Sequence, residues 1–232
     1  MANSSLHIDL EKFKSRFQAF GSLDYAGDFK GFWKWKVKTE KDDEHVLDGK
    51  HRNETYRRLC NILPGWLTYR PYSSSVCLGI LESSLAKMVD AYNQVRHYSL
   101  LEFSKTPTEP LELIWHELGR AKEEDGDRNP GGFYSVVAVT KPLMFLWGQT
   151  LAFDSLVRSF VPKSLNVLRN YNWVFNDWKH AMNSFQDFLR EQPEVIDFFK
   201  KVSLETYGTD SIIPYGQFID LYYWVAGKEC GL

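Results

Sequence analysis

The stretch 139-VTKPLMFLWGQTLAFDSLVRSF-160 holds two charges in an otherwise apolar run. Lys141 stands directly before Pro142, and Asp154 follows thirteen positions later at the head of a second amphipathic segment. Proline suits the first turn of a helix, where its missing N–H has no intrahelical acceptor to serve. The pattern therefore predicts a short helix over 142–148, stopped at Gly148, with Lys141 at its mouth. There the positive end of the helix dipole would lower the ammonium pKa. Asp154 falls where an N-cap belongs, ahead of Ser155, Leu156, Val157 and Phe160, and a carboxylate in that place accepts backbone N–H bonds. Two short helices joined by a tight loop would set Lys141 and Asp154 on opposite sides of one small cleft.

Outward from this segment, helical periodicity dominates. Residues 8–19 place Leu10, Phe13 and Phe17 on one face. Asn53 heads a helix through Tyr56, Leu59, Cys60 and Leu63, and Pro64-Gly65 stops it. The block 73-SSSVCLGILESSLAKMVDAYNQVRHY-98 reads as one long helix with serine caps and no internal proline. Thr108 and Pro110 open a helix carrying Leu111, Ile114, Trp115 and Leu118, followed by the acidic loop 122-KEEDGDRNPGG-132 as a mobile surface element. Further helices are expected over about 155–168, 173–190, 194–206 and 214–227. In 29-FKGFWKWKVK-38 apolar residues and lysines alternate from Trp33 to Lys38, the period of a strand. The valines of 133-FYSVVAVT-140 also favour a strand, although a core helix would look much the same. The expected fold is all-α: one compact helical bundle over 1–232, with a small strand or hairpin near its N-terminus.

Composition narrows the function. At 44% hydrophobic and 16% aromatic residues the chain is too apolar for a disordered protein. Eight Trp, twelve Tyr and sixteen Phe suggest that some rings line a groove or pocket. A net charge of −2 gives no global field toward nucleic acid, so a DNA partner would need a local basic patch. Cys60, Cys77 and Cys230 form no disulfide framework, the first residues do not read as a signal peptide, and 136–148 is too short to span a bilayer. A cytoplasmic protein without a membrane role is expected. No CxxC, HxxxH, EF-hand loop, GxxxxGK[ST], GxGxxG or GxSxG occurs, so an enzyme built on this chain is expected to work without metal or cofactor.

A lysine opening a buried helix, a loop of apolar and small residues, then Asp ahead of an amphipathic helix resembles the helix–hairpin–helix DNA glycosylases. The segment 140-TKPLMFLWGQTLAFDS-155 is also similar to bacterial helical proteins of unassigned function with an SK-x-LHFL…PDLFP…DS pattern, whose W-x-x-RP-like element corresponds to 66-WLTYRP-71. Together the resemblances cover about half the chain. Where the glycosylase hairpin is glycine-rich, residues 133–140 contain no glycine. The resemblance implies excision of a damaged or modified base, in repair or in defence against phage DNA. Asp154 would stabilise the cationic sugar, and Lys141 would be the attacking amine of a bifunctional enzyme.

Each candidate has a plainer alternative. Asp154 as a helix cap is compatible with a catalytic role, and an exposed lysine before a proline is a common use of Lys141. Trp66, Tyr69, Arg70 and Trp147 would wall a pocket for a flipped base, or pack a loop on the core. Arg52, Arg57, Arg58 and Lys163 are candidate phosphate contacts, or solvated faces. The competing reading of the whole is a non-enzymatic helical module of an immunity, regulatory or antiviral-defence system, whose aromatics bind a protein partner.

Overall fold

The computed structural model describes residues 8–21, 24–40, 44–64, 74–120, 134–161, 165, 167–170 and 172–229. Among them lie eleven α-helices, one 3-10 helix and a single pair of two-residue strands. The helices are α1 (Leu10–Gly21), α2 (Asp24–Thr39), α3 (Gly49–Ile62), α4 (Ser74–Lys87), α5 (Val89–Val95) and α6 (Thr108–Arg120), with the 3-10 helix Leu100–Lys105 between the last two. Then come α7 (Val136–Trp147), α8 (Ser155–Phe160), α9 (Phe175–Arg190), α10 (Pro193–Tyr207) and α11 (Tyr215–Glu229). Strand β1 (Tyr134–Ser135) pairs antiparallel with β2 (Asn172–Trp173), Tyr134 opposite Trp173. The expected all-α class is met.

Helix α7 is the centre of the core. Its residues are apolar all round apart from Thr140 and Lys141, and all but Val137 are buried. A helix apolar on every side must be wrapped by others, and α2, α6 and β1 pack against it. The helix begins at Val136, so Pro142 is its seventh residue and not its first turn. The missing N–H leaves the Ala138 carbonyl without its helical donor. Lys141 is accordingly mid-helix and only 6% exposed, neither at a helix mouth nor on the surface.

Three other expectations change. The alternating segment 29–38 is helical because Phe29, Phe32, Trp33 and Lys36 fall at i, i+3, i+4 and i+7, and all four are buried. The block 73–98 breaks at Met88, whose φ of −96° and ψ of 7° separate α4 from α5. The helix after Asp154 stops at Phe160, where Val161 turns extended. The aromatic surplus goes largely into the core: Trp33, Trp115, Trp147, Trp173 and Trp178 are all fully buried. Trp115 and Trp178 stack at 5.5 Å between ring centroids, and Phe103 meets Trp178 edge-on at the same distance. The loop 122–132, expected to be mobile, lies outside the described residues.

Candidate active site

Two glycines bring the segment after α7 against the last helix. Gly148 closes α7 in the left-handed region at φ 75°, and a methyl there would run into Trp33. Gly216, in the first turn of α11, faces the backbone of Gln149 and Thr150 so closely that any Cβ would strike it. The Gln217 N–H completes the contact by donating to the Gly148 carbonyl at 3.2 Å. Asp220 is one turn beyond Gly216 on the same face of α11. Its carboxylate accepts the Ala152 N–H at 2.7 Å and also the Phe153 N–H.

The rest of the loop is held from every side. The Gln149 amide accepts the Leu100 N–H at 2.8 Å and donates to the Ile213 carbonyl at 2.9 Å. Thr150 Oγ1 accepts from Trp178 Nε1 at 3.0 Å. The Thr140 hydroxyl lies 2.6 Å from the Ala152 carbonyl and 2.7 Å from that of Val136. These ties hold Phe153 at φ 49°, the one non-glycine left-handed residue among those described. Such a conformation costs on the order of 1–3 kcal/mol and persists where its surroundings over-determine it, often beside a functional group. Phe153 is buried against Trp173, with 5.0 Å between ring centroids.

The next residue is Asp154. As expected it caps α8, with Oδ1 accepting the Val157 N–H at 3.0 Å. Its Oδ2 faces Lys141 Nζ at 3.9 Å. Three ionisable groups from α7, the α8 cap and α11 thus meet in one place. Burial pushes the Lys141 ammonium below the usual lysine range, while Asp154 and Asp220 act to raise it. The Asp220 carboxyl is pushed up to about 8, by burial first and by the Asp154 carboxylate second. Burial therefore favours the proton-bearing form of Asp220, and the ion pair of the cluster is Lys141 with Asp154. Asp154 is the open member of the set, its side chain 17% exposed against 8% for Lys141.

The other candidate residues are placed elsewhere. Trp147 is buried on α7 and donates its indole N–H to the Tyr98 carbonyl at 3.0 Å. Arg57 and Arg58 both engage Glu54, each at 2.7 Å, and the Arg58 guanidinium also covers the Trp35 ring. They and Arg52 belong to α3, which packs on α2 and α4, whereas the charged cluster is built on α7, α8 and α11. Trp66, Tyr69, Arg70 and Lys163 lie outside the described residues. Arg158, one turn after Asp154, is buried and bonded to the Asn170 carbonyl. Among the described residues no group of three or more His, Cys, Asp or Glu is arranged to hold a metal ion, and no helix is long and apolar enough to cross a membrane. Asp220 was not among the expected site residues. Its signal is a single acid inside the apolar run 218-FIDLYYWVAG-227, four positions after a glycine.

The chain matches no protein-family model, no curated protein and no solved structure.

Proposed function

We propose that the protein is a DNA glycosylase-like enzyme that releases a damaged or modified base, with Asp154 as the group that meets the sugar. The observation that carries this reading is the Asp154 carboxylate itself. It is partly exposed, fixed by a cap bond on one oxygen, and faced by a buried lysine on the other. The helix–hairpin–helix resemblance implies a lysine opening a buried helix, then a loop, then an aspartate; the loop and the aspartate cap stand in that order here, while Lys141 lies mid-helix. In the reaction the C1′–N bond breaks and its electron pair leaves with the base. Asp154 offsets the positive charge on the sugar, water adds at C1′, and the water proton passes to the carboxylate or to solvent. Lys141 faces that carboxylate at 3.9 Å, and Asp220 holds the strained backbone next to it.

The test is incubation of the full chain with duplexes and single strands bearing different modified bases, scored for abasic sites. Asp154→Asn is expected to keep helicity and DNA binding and to lower base release by a factor on the order of 10²–10³. Undiminished release would sink the reading. One observation favours the non-enzymatic module instead: Arg57 and Arg58 are tied to Glu54, which weakens the expected phosphate contact. Absence of base release on every substrate, with capture of a specific protein partner, would select that alternative.

A further inference from the structure

Helix α11 meets the Asp154 segment along one stripe. Gly216, Asp220 and Gly227 follow one another at intervals of four and seven residues, so all three fall on one face of the helix. Gly216 lets the backbone of Gln149 and Thr150 lie against α11, and a methyl at Gly227 would crowd the Leu156 side chain. Between the two glycines, the Asp220 carboxyl group accepts the Ala152 N–H at 2.7 Å and also the Phe153 N–H. One helix thus holds the chain both before and after Asp154.

The other contacts of Asp154 are weak anchors. Helix α8 spans only six residues and ends where Val161 turns extended. A helix of that length does not sustain itself, because nucleation costs more than so few bonds return. The cap bond to the Val157 N–H is therefore only as firm as whatever holds α8 in place. The Lys141 contact at 3.9 Å is longer than a hydrogen bond and fixes no direction. Phe153, directly before Asp154, keeps φ at 49°, a conformation that a non-glycine residue retains only under external ties. Two N–H bonds to one buried carboxyl group are such a tie.

From this arrangement we propose that Asp220 is a positioning residue: its hold on the two peptides ahead of Asp154, rather than the α8 cap alone, sets where the Asp154 carboxylate stands. The placement is a property of the fold, and only its effect on base release rests on the proposed reading of Asp154. Asparagine has the shape of the proton-bearing acid that burial favours at this position, and its Oδ1 can accept the same N–H bonds. Alanine removes the acceptor.

The experiment compares the full chain with Asp220→Ala, Asp220→Asn and Gly216→Ala by amide hydrogen exchange and by base release. In Asp220→Ala the Ala152 and Phe153 amides are expected to lose protection about tenfold or more, as removal of a buried acceptor implies. The Val157 amide, whose acceptor is Asp154 Oδ1, is expected to lose at least about threefold with them, while the Phe185 amide within α9 is unchanged. Asp220→Asn is expected to retain protection at all four. Gly216→Ala presses α11 off the loop with Asp220 intact, and it should lower Val157 protection in the same direction even if Asp220→Ala does not fold. In base release, kcat of Asp220→Ala should fall about ten- to a hundredfold with KM nearly constant, the mark of a misplaced reacting group, and Asp220→Asn should restore most of it. An unchanged Val157 amide, an equal loss at Phe185, or a kcat as low in Asp220→Asn as in Asp220→Ala would overturn the proposal. A chain that releases no base from any substrate refutes the reading of Asp154 and leaves the Val157 amide to decide this one.

Discussion

The Asp220 carboxylate receives the Ala152 N–H at 2.7 Å, tying the loop that presents Asp154 to the last helix of the fold. The partner is a buried acid whose pKa is pushed up to about 8, so the tie depends on pH.

Unfolded, the Asp220 carboxyl titrates near its ordinary value of 3.8, and folded it titrates near 8. Between those values the folded chain carries the extra proton, so stability falls as pH rises. The stabilisation is fully present below about pH 4 and is lost as pH passes through about 8. Lys141 acts with the opposite sign. Its lowered pKa makes the folded form a penalty at low pH, relieved only above that pKa and fully by its ordinary 10.5. The urea midpoint is therefore expected to decline from pH 6 to 8, and Asp220→Asn to flatten that slope. A slope unchanged in Asp220→Asn would place the titrating group elsewhere.

The glycine that admits this contact gives a second expectation. Gly216→Ala sets a methyl against the backbone of Gln149 and Thr150, which cannot rotate away. It should cost about 1–3 kcal/mol, as over-packing does, and lower Tm by several degrees. Gly31, exposed on α2 with open space around it, is the control. Gly31→Ala should be neutral or stabilise by up to about 1 kcal/mol through helix propensity. Thermal melts of the two variants decide the matter.

How much of this was written in the sequence depends on the residue. The apolar stripes of α6, α9, α10 and α11 repeat every 3.6 residues, and their boundaries could be read closely. Asp154 could be read as a cap because the signal is local: an acid, a serine, then a helical stripe. Pro142 misled because a proline inside a helix is rare, and only the packing of α2, α6 and β1 around α7 makes it tolerable. Burying Lys36 beside Trp33 on one face of α2 needed Glu40 and Tyr92 as acceptors, and that pairing spans 52 residues between the last two. Asp220 lies 68 residues from the backbone it holds, a distance no periodicity can bridge.

The Lys36–Glu40 pair lends itself to a double-mutant cycle. Lys36→Met leaves Glu40 buried without its counter-charge, and Glu40→Leu does the same to Lys36. Each single change should cost about 3–5 kcal/mol, while the double variant should cost far less than their sum. Urea denaturation of the four proteins gives the coupling directly. Additive losses would mean that the two side chains act independently of one another.

On the proposed reading of the Lys141–Asp154–Asp220 cluster, Lys141 decides which kind of chemistry is expected. Its side chain is 8% exposed and its Nζ faces Asp154 at 3.9 Å, so the ammonium serves the carboxylate rather than the solvent side of the site. On that geometry Lys141 is a positioning residue. Lys141→Met is then expected to lower base release by roughly tenfold, less than the loss in Asp154→Asn, because the electrostatic partner of the sugar remains. The readout that separates the roles is chemical. An amine that attacks C1′ forms an imine with the opened sugar, and borohydride reduces that imine to a stable protein–DNA adduct. No adduct is expected from the unaltered chain on a substrate whose base it releases. An adduct that forms there and vanishes in Lys141→Met would make Lys141 the nucleophile, and would require the buried ammonium to give up its proton and swing past Asp154 to the sugar.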